Sequence, residues 1–546
     1  MLNCKRCNNG FEFMDADLKV HAKMHVPPPT LCPHCRLHRR CTWRNDKNFY
    51  RNTCTVCQKA IVSLYSPDKP FKVICPKCFW GDQWDPLSYG QEFDFNRPFF
   101  EQFKEMRDKV PRIAMYFTQS ENSDYTAHSS RNRNCYMGSS ILDSEDVHYS
   151  DFVFNSRDSL DCLFCLRIEL CYECVDCQDC TNSNYLEYCS NSVDSFLSLD
   201  CRGCKRVVGC VSLRNRKNHI LNQPASKEEC IATIAKLKND PAFFQEFKKK
   251  YIALRQHIPK QDAWMINAED CTGNYLSNCK NVKYGFSCDD VEDGRFCYES
   301  THVKDGYDIT RTCGEFLYEV HGIVDLQFGK FCNLVYHSDN MAYCDNCQNC
   351  RYCFGCVSLR GHEYCILNKR YSPQAYKELV PKIIEAMKST GEYGEFFPSE
   401  LSPFGYNETK AHEHWPMERK DVLAQGLSWC DYETPIPPDI KKIPAHRLPD
   451  KITDIPNDVL NWAVECEVTG KPFKITSQEL KFYRRKGLPV PRRSPLQRFR
   501  DRLALRSPMR LFERTCDNCQ RPIRTPFAPE RPEKVYCERC FLKAVY

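Results

Sequence analysis

Cysteines spaced Cys-x2-Cys are the residues here best suited to chemistry, because two thiolates three positions apart can close on one soft metal ion. The first 80 residues hold four such pairs: Cys4/Cys7, Cys32/Cys35, Cys54/Cys57 and Cys75/Cys78. The spacer between Cys57 and Cys75 is 17 residues, within the range of a four-thiolate zinc ribbon. The spacer between Cys7 and Cys32 is 24 residues and must hold a short helix around Asp17 to Met24. Four thiolates leave no open coordination position, so these sites are expected to be structural.

The far end repeats this module at a constant offset of 462, which puts Cys4 on Cys466, Arg44 on Arg506, and Cys54/Cys57/Cys75/Cys78 on Cys516/Cys519/Cys537/Cys540. Cys7, Cys32 and Cys35 meet Thr469, Ser494 and Gln497, so Cys466 is left without partners. The expectation is three zinc ions, not four.

Where that site is lost, positive charge gathers. Residues 457–546 hold 20 Lys/Arg against 10 Asp/Glu, and residues 1–90 hold 14 against 7. Arg484, Arg485, Arg492, Arg493, Arg498, Arg500, Arg502, Arg506, Arg510 and Arg514 interleave with Phe482, Tyr483, Phe499 and Phe512, a pattern that suits phosphate contacts and base stacking. The alternative is a solvated basic face whose aromatics are core.

Between the basic ends the chain is acidic and internally duplicated. Gly209-Cys210-Val211-Ser212-Leu213-Arg214, followed by Ile220-Leu221-Asn222, recurs at an offset of 146 as Gly355 to Arg360 and Ile366-Leu367-Asn368, with nine of fourteen aligned positions identical. Each copy closes an array of short words such as Asn134-Cys135, Asp161-Cys162, Asp179-Cys180 and Asp200-Cys201. The second array carries Asn278-Cys279, Thr312-Cys313-Gly314, Lys330-Phe331-Cys332 and Asn349-Cys350. The words lie roughly eleven residues apart, and two of them, about 22 residues, would make one coil of a β-solenoid with small thiols and aromatics stacked inside.

These readings give a mainly β chain: two tandem β-solenoid-like arrays with helical caps, flanked by zinc-ribbon modules. The expected boundaries are 1–92 (double ribbon), 93–120 (a capping helix from Pro98 to Val110 that covers an array end), 121–222 (first array), 223–266 (helical connector), 267–368 (second array), 369–430 (helical cap), 431–456 (an extended linker with six prolines) and 457–546 (C-terminal ribbon, one metal site kept). Ser226-x-x-Glu229, Asp240-Pro241 and Ser372-Pro373 read as helix starts.

Two constellations invite a catalytic reading. Cys344/Cys347/Cys350/Cys353/Cys356 and Cys171/Cys174/Cys177/Cys180 have the look of iron–sulfur ligation, yet Cys356 lacks the following proline and belongs to the duplicated cap. Interior thiols are the expectation, with a fourth zinc or a cluster as alternatives. His412-Glu413-His414 lacks the spacing that puts two imidazoles on one helix face, and reads as surface sequence.

Cys-Pro-x-Cys-Arg with Arg39-Arg40, Trp43-Arg44-Asn45, Tyr65-Ser66-Pro67-Asp68-Lys69-Pro70, Trp84-Asp85-Pro86-Leu87-Ser88-Tyr89-Gly90 and the Gly-Cys-Val-Ser-Leu-Arg caps resembles a Cys-rich zinc-ribbon and repeat family of ultra-small candidate-phyla (Patescibacteria-type) bacteria. The resemblance spans nearly the whole chain. It implies bacterial origin and a cytoplasmic location, and no activity.

The start, Met1-Leu2-Asn3-Cys4-Lys5, lacks the apolar core of a signal peptide, and no apolar run approaches a membrane span. A cytoplasmic protein in a reducing compartment is expected. No acid/base pair, phosphate loop or open metal site stands out, so the expected function is a non-enzymatic, zinc-binding scaffold that binds RNA or DNA through its basic ends. The alternatives are a protein-assembly scaffold whose acidic arrays meet basic partners, or the protein's own basic ends, and an enzyme with an unrecognised Cys/His site.

Overall fold

The computed structural model describes residues 1–545 except 305, 309–317, 321, 325–330 and 334. The words Thr312-Cys313-Gly314 and Lys330 lie outside these residues. Secondary structure is mixed rather than mainly β: many short strands alternate with twelve α-helices among the described residues.

In both central regions the strands pair in parallel at a register of twelve. Ser139 faces Asp151, Asp151 faces Leu163, and Lys205 faces Lys217. In the second region Asp289 faces Thr301 and Arg351 faces Glu363, while Met265 pairs with Leu276 at eleven. The chain therefore returns to the same place every twelve residues, which corrects both the eleven-residue word and the 22-residue coil.

A finer period of three generates this return. Asn134, Met137, Ser140, Asp143, Asp146, Tyr149 and Phe152 all lie near φ +50° in the left-handed region, and the pattern continues along the array. Such a conformation costs about 1–2 kcal/mol per residue, so something must offset it. The triplet Arg133-Asn134-Cys135 shows what does. Arg133 N–H bonds the Ser144 carbonyl one coil ahead, and Asn134 N–H bonds the Glu121 carbonyl one coil behind, both at 3.0 Å. Cys135 N–H bonds the Ser123 hydroxyl at 3.0 Å, and that hydroxyl donates to the Glu121 carbonyl at 2.8 Å. Every backbone donor of the triplet is satisfied, as a buried main chain requires.

From Cys135 to Leu213 the third residue of each triplet is small or apolar and points inward: Cys135, Ile141, Val147, Ser150, Val153, Ser159 and Cys162 are all buried. Ser150→Ala should cost about 1–3 kcal/mol. It would strand the Cys162 N–H, now 3.0 Å from the Ser150 hydroxyl. A denaturant midpoint lowered at unchanged m-value would show it; an unshifted midpoint would mean that the bond contributes nothing.

The duplicated word closes each array. Asn222 bonds the N–H and the carbonyl of Val211 at 2.8 and 2.9 Å, and Asn368 does the same to Val357. Each side-chain amide thus stands in for the next strand. Gly209 and Gly355, both left-handed, are where a Cβ would strike the rings of Phe247 and Phe99 at 2.6 and 2.8 Å. The capping helices are exchanged between the halves. Phe99–Lys109, which precedes the first array, covers the end of the second, and Pro241–His257, which precedes the second array, covers the end of the first.

Residues 431–456 are not simply a tether. Lys442–Pro444 pairs with Ala463–Glu465, and Ala445, Leu448, Ile452 and Ile455 are buried in one core with Leu160 and Tyr172 of the first array. Pro444 ends the Lys442–Pro444 strand and starts a 3-10 turn and Pro456 starts another, whereas Pro435, Pro437 and Pro438 lie in an exposed stretch without regular structure.

Candidate metal centres and the placement of the arginines

Three groups of four cysteines converge, with all their sulfurs within 4.8 Å of one another: Cys4/Cys7/Cys32/Cys35, Cys54/Cys57/Cys75/Cys78 and Cys516/Cys519/Cys537/Cys540. Across them, Cys7 Sγ is 3.8 Å from Cys32, Cys57 is 3.9 Å from Cys75 and Cys519 is 3.8 Å from Cys537. A tetrahedral ion with sulfurs at about 2.3 Å requires an edge of about 3.8 Å. The donor set and its size therefore fit such an ion.

Local backbone explains the convergence. In each group the fourth residue after the first cysteine is left-handed (Asn8, Gln58, Gln520), and its N–H returns to the carbonyl of Cys4, Cys54 or Cys516 at 2.9 Å. Cys32 and Cys75 sit at the N-caps of helices that carry Cys35 and Cys78. Burial pushes the Cys54 thiol up, but the N–H groups of Cys57, Cys75 and Val56 outweigh it and hold it at about 6; Cys516 is held there in the same way by Cys537, Cys519 and Asn518. Thiolates prepared like this are ready ligands.

At the lost site the knuckle survives without its ligands. Gly470 is left-handed and its N–H bonds the Cys466 carbonyl at 2.8 Å, while Ser494 takes the N-cap position that Cys32 holds in the first module and accepts the Gln497 N–H there. Cys466→Ser should leave the metal content at three ions per chain, whereas Cys516→Ser should lower it to two; elemental analysis reads both. Loss of an ion from the Cys466 variant would show a hidden ligand.

Among the described residues, no further set of three or more candidate ligands comes this close. The Cys344 to Cys356 run lies inside the second array, with sulfurs turned to main-chain carbonyls such as Ala342 and Cys353 for Cys344. His412 and Glu413 are half-buried rather than on the surface, and burial pushes the Glu413 carboxyl up to about 8.

The ten arginines divide: Arg484, Arg485, Arg493, Arg500 and Arg510 are exposed, and the other five are half-buried or buried. Arg498 and Arg502 are 3% and 1% exposed. Both meet Asp161 of the first array, at 3.1 and 2.9 Å; Arg498 also meets Glu479 at 3.3 Å, and Arg506 meets Asp176 at 2.8 Å. Arg485 pairs with Asp158, Arg492 with Asp450, and Arg493 with Glu467 and Asp501. Arg484 bonds Asn457 and the Ile455 carbonyl, and Arg514 bonds the carbonyls of Ala528 and Glu533. Only Arg500 and Arg510 of the ten keep exposed guanidiniums without such contacts among the described residues, Arg510 over the Phe512 ring. Phe482, Tyr483 and Phe499 are core. For Arg485, Arg498, Arg502 and Arg506 the array's own carboxylates stand where phosphates were expected.

The same clasp is made a second time, by the opposite end. At the 462 offset Arg498, Arg502 and Glu479 correspond to Arg36, Arg40 and Asp17. Arg36 and Arg40 meet Asp308 of the second array at 2.6 and 3.4 Å, and Arg39 meets Glu319 at 2.6 Å. The first module thus grips the second array and the last module grips the first. The receiving columns are alike: Tyr149, Asp161, Glu173 and Tyr185, and Phe296, Asp308, Glu319 and Phe331, all left-handed. A search at register twelve would have found the first column, and the second with one step of eleven between Asp308 and Glu319.

No protein-family model and no curated protein matches the chain. Among solved structures, a proposed acetyltransferase of Desulfovibrio desulfuricans aligns with 48% of this chain and 71% of its own at 8% identity, with a TM-score of 0.12, which carries no argument. No described helix is long and apolar enough to cross a membrane.

Proposed function

We propose that the chain is a non-enzymatic scaffold holding three zinc ions, with two β-solenoids clasped crosswise by the terminal ribbons, and that its partner is nucleic acid. The reciprocal clasp supports the scaffold reading most directly, because it commits both termini, and the carboxylates of Asp161, Asp308 and Glu319, to holding the arrays at a fixed spacing. It also supports one form of the assembly alternative, in which the acidic arrays meet the protein's own basic ends. Nucleic acid is supported by local charge and not by the total, since three Zn(Cys)4 sites at about −2 each bring the formal +6 close to neutral while residues 201–260 alone carry 14 Lys/Arg against 4 Asp/Glu. Fluorescence anisotropy with RNA and duplex DNA over a salt series tests this. Affinity that falls steeply with salt is expected. Absence of binding at the lowest salt would remove the nucleic-acid reading, and protein partners that survive nuclease treatment in a pull-down would replace it with assembly.

A further inference from the structure

Residues 201–260 carry 14 Lys/Arg against 4 Asp/Glu, although the first array as a whole is acidic. The aligned stretch of the second copy, 347–406, carries 7 against 6. The excess is therefore not a requirement of the duplicated fold. It gathers at one end of the first array, because the helix Lys227–Asn239 packs on the strands Lys205–Val208 and Lys217–Ile220, and Pro241–His257 packs on Gly209 and Leu221.

Lys205, Arg216, Lys217, Lys227, Lys248 and Lys249 are exposed, and among the described residues none of them has a carboxylate partner. Lys205 and Lys217 are in register on neighbouring strands, which sets two cations about 4.8 Å apart at their backbones. Like charges at that spacing oppose folding unless an anion lies between them. The twin capping helix makes the contrast sharper. At an offset of 148, Phe99, Phe103 and Arg107 correspond to Phe247, Tyr251 and Arg255, so the packing face is kept. The neighbouring positions are changed: Glu101 and Phe100, which packs on Tyr343 and Phe397, stand where the exposed Lys249 and Lys248 do.

We infer that the nucleic-acid-binding face is this basic end of the first array and its two helices, not the C-terminal module. The inference rests on the nucleic-acid reading above and moves its site. A row of unpaired cations on a rigid support suits a phosphate backbone, from which counterions are released on binding.

The test uses the full-length, metal-loaded chain and anisotropy with a single-stranded RNA and a duplex DNA. The variant Lys205→Gln/Arg216→Gln/Lys217→Gln/Lys248→Gln/Lys249→Gln should bind at least ~10-fold more weakly at ~0.1 M salt, and its log–log salt slope should be shallower by about 3–4. Arg500→Gln/Arg510→Gln should stay within about twofold of wild type. Unchanged metal content in both variants confirms that the fold is intact. Wild-type binding with an undiminished five-site variant would overturn this placement while leaving the nucleic-acid reading standing. No wild-type binding at low salt would sink both, and capture by anionic vesicles but not by RNA or DNA would assign the face to a membrane instead.

Discussion

Cys75→Ser should lower the metal content from three ions to two and destabilise the whole N-terminal half, not the ribbon alone. Val73–Ile74 of that ribbon pairs with Arg112–Ile113 at the start of the first array, and Ala114 bonds across to Leu64 and Ile74. Without the ion, those strands and the core of Leu64, Tyr65, Ile74, Ile113 and Met115 lose their anchor. The expected cost is on the order of 5 kcal/mol, part of the roughly 10–16 kcal/mol that a structural zinc supplies. Calorimetry together with metal analysis checks it. A variant that lost its ion yet melted at the wild-type temperature would mean that the four thiolates do not support the array.

Asp161→Asn is the second large effect. The substitution keeps the shape but removes the one charge that Arg498 and Arg502 share, leaving two guanidiniums buried with Glu479 and a more distant Glu173. Breaking a buried pair from one side costs about 3–5 kcal/mol, because an uncompensated charge remains. Asp308→Asn should cost a similar amount for the same reason at Arg36 and Arg40. The two clasps share no residue, so the double variant should show nearly the sum. Chemical unfolding of the three variants decides, and a loss under about 1 kcal/mol for Asp161→Asn would show that Arg498 and Arg502 are held by other contacts.

The metal sites were legible because their spacing is local: Cys-x2-Cys on a knuckle and on a helix start needs only a few residues of context. The duplication was legible for the same reason. The coil length was not. Asn134-Cys135, Asp161-Cys162, Asp179-Cys180 and Asp200-Cys201 are separated by 27, 18 and 21 residues, all multiples of three, because each is a left-handed residue followed by an inward one. Which of the four triplets in a coil carries the recognisable pair varies, so the words drift around twelve and average to something less. The left-handed positions also accept Tyr149, Phe152 and Leu197, which no local preference marks. The burial of Arg498 and Arg502 was not legible because their shared partner is remote: Asp161 lies more than 330 positions before Arg498, and charge counts cannot say which acids and bases meet.

The crossed clasp has a consequence for how the chain is made. Arg36, Arg39 and Arg40 leave the ribosome some 270 residues ahead of Asp308, and Phe99 leads Gly355 by a similar stretch. At about 5–20 residues per second that is a delay on the order of tens of seconds, during which Leu37, Trp43, Phe99 and Phe103 have not yet met the side chains that will bury them. The nascent polypeptide must therefore travel half its length with its leading domain unseated, so its yield in a cell should depend on holdase chaperones more than its finished stability would suggest.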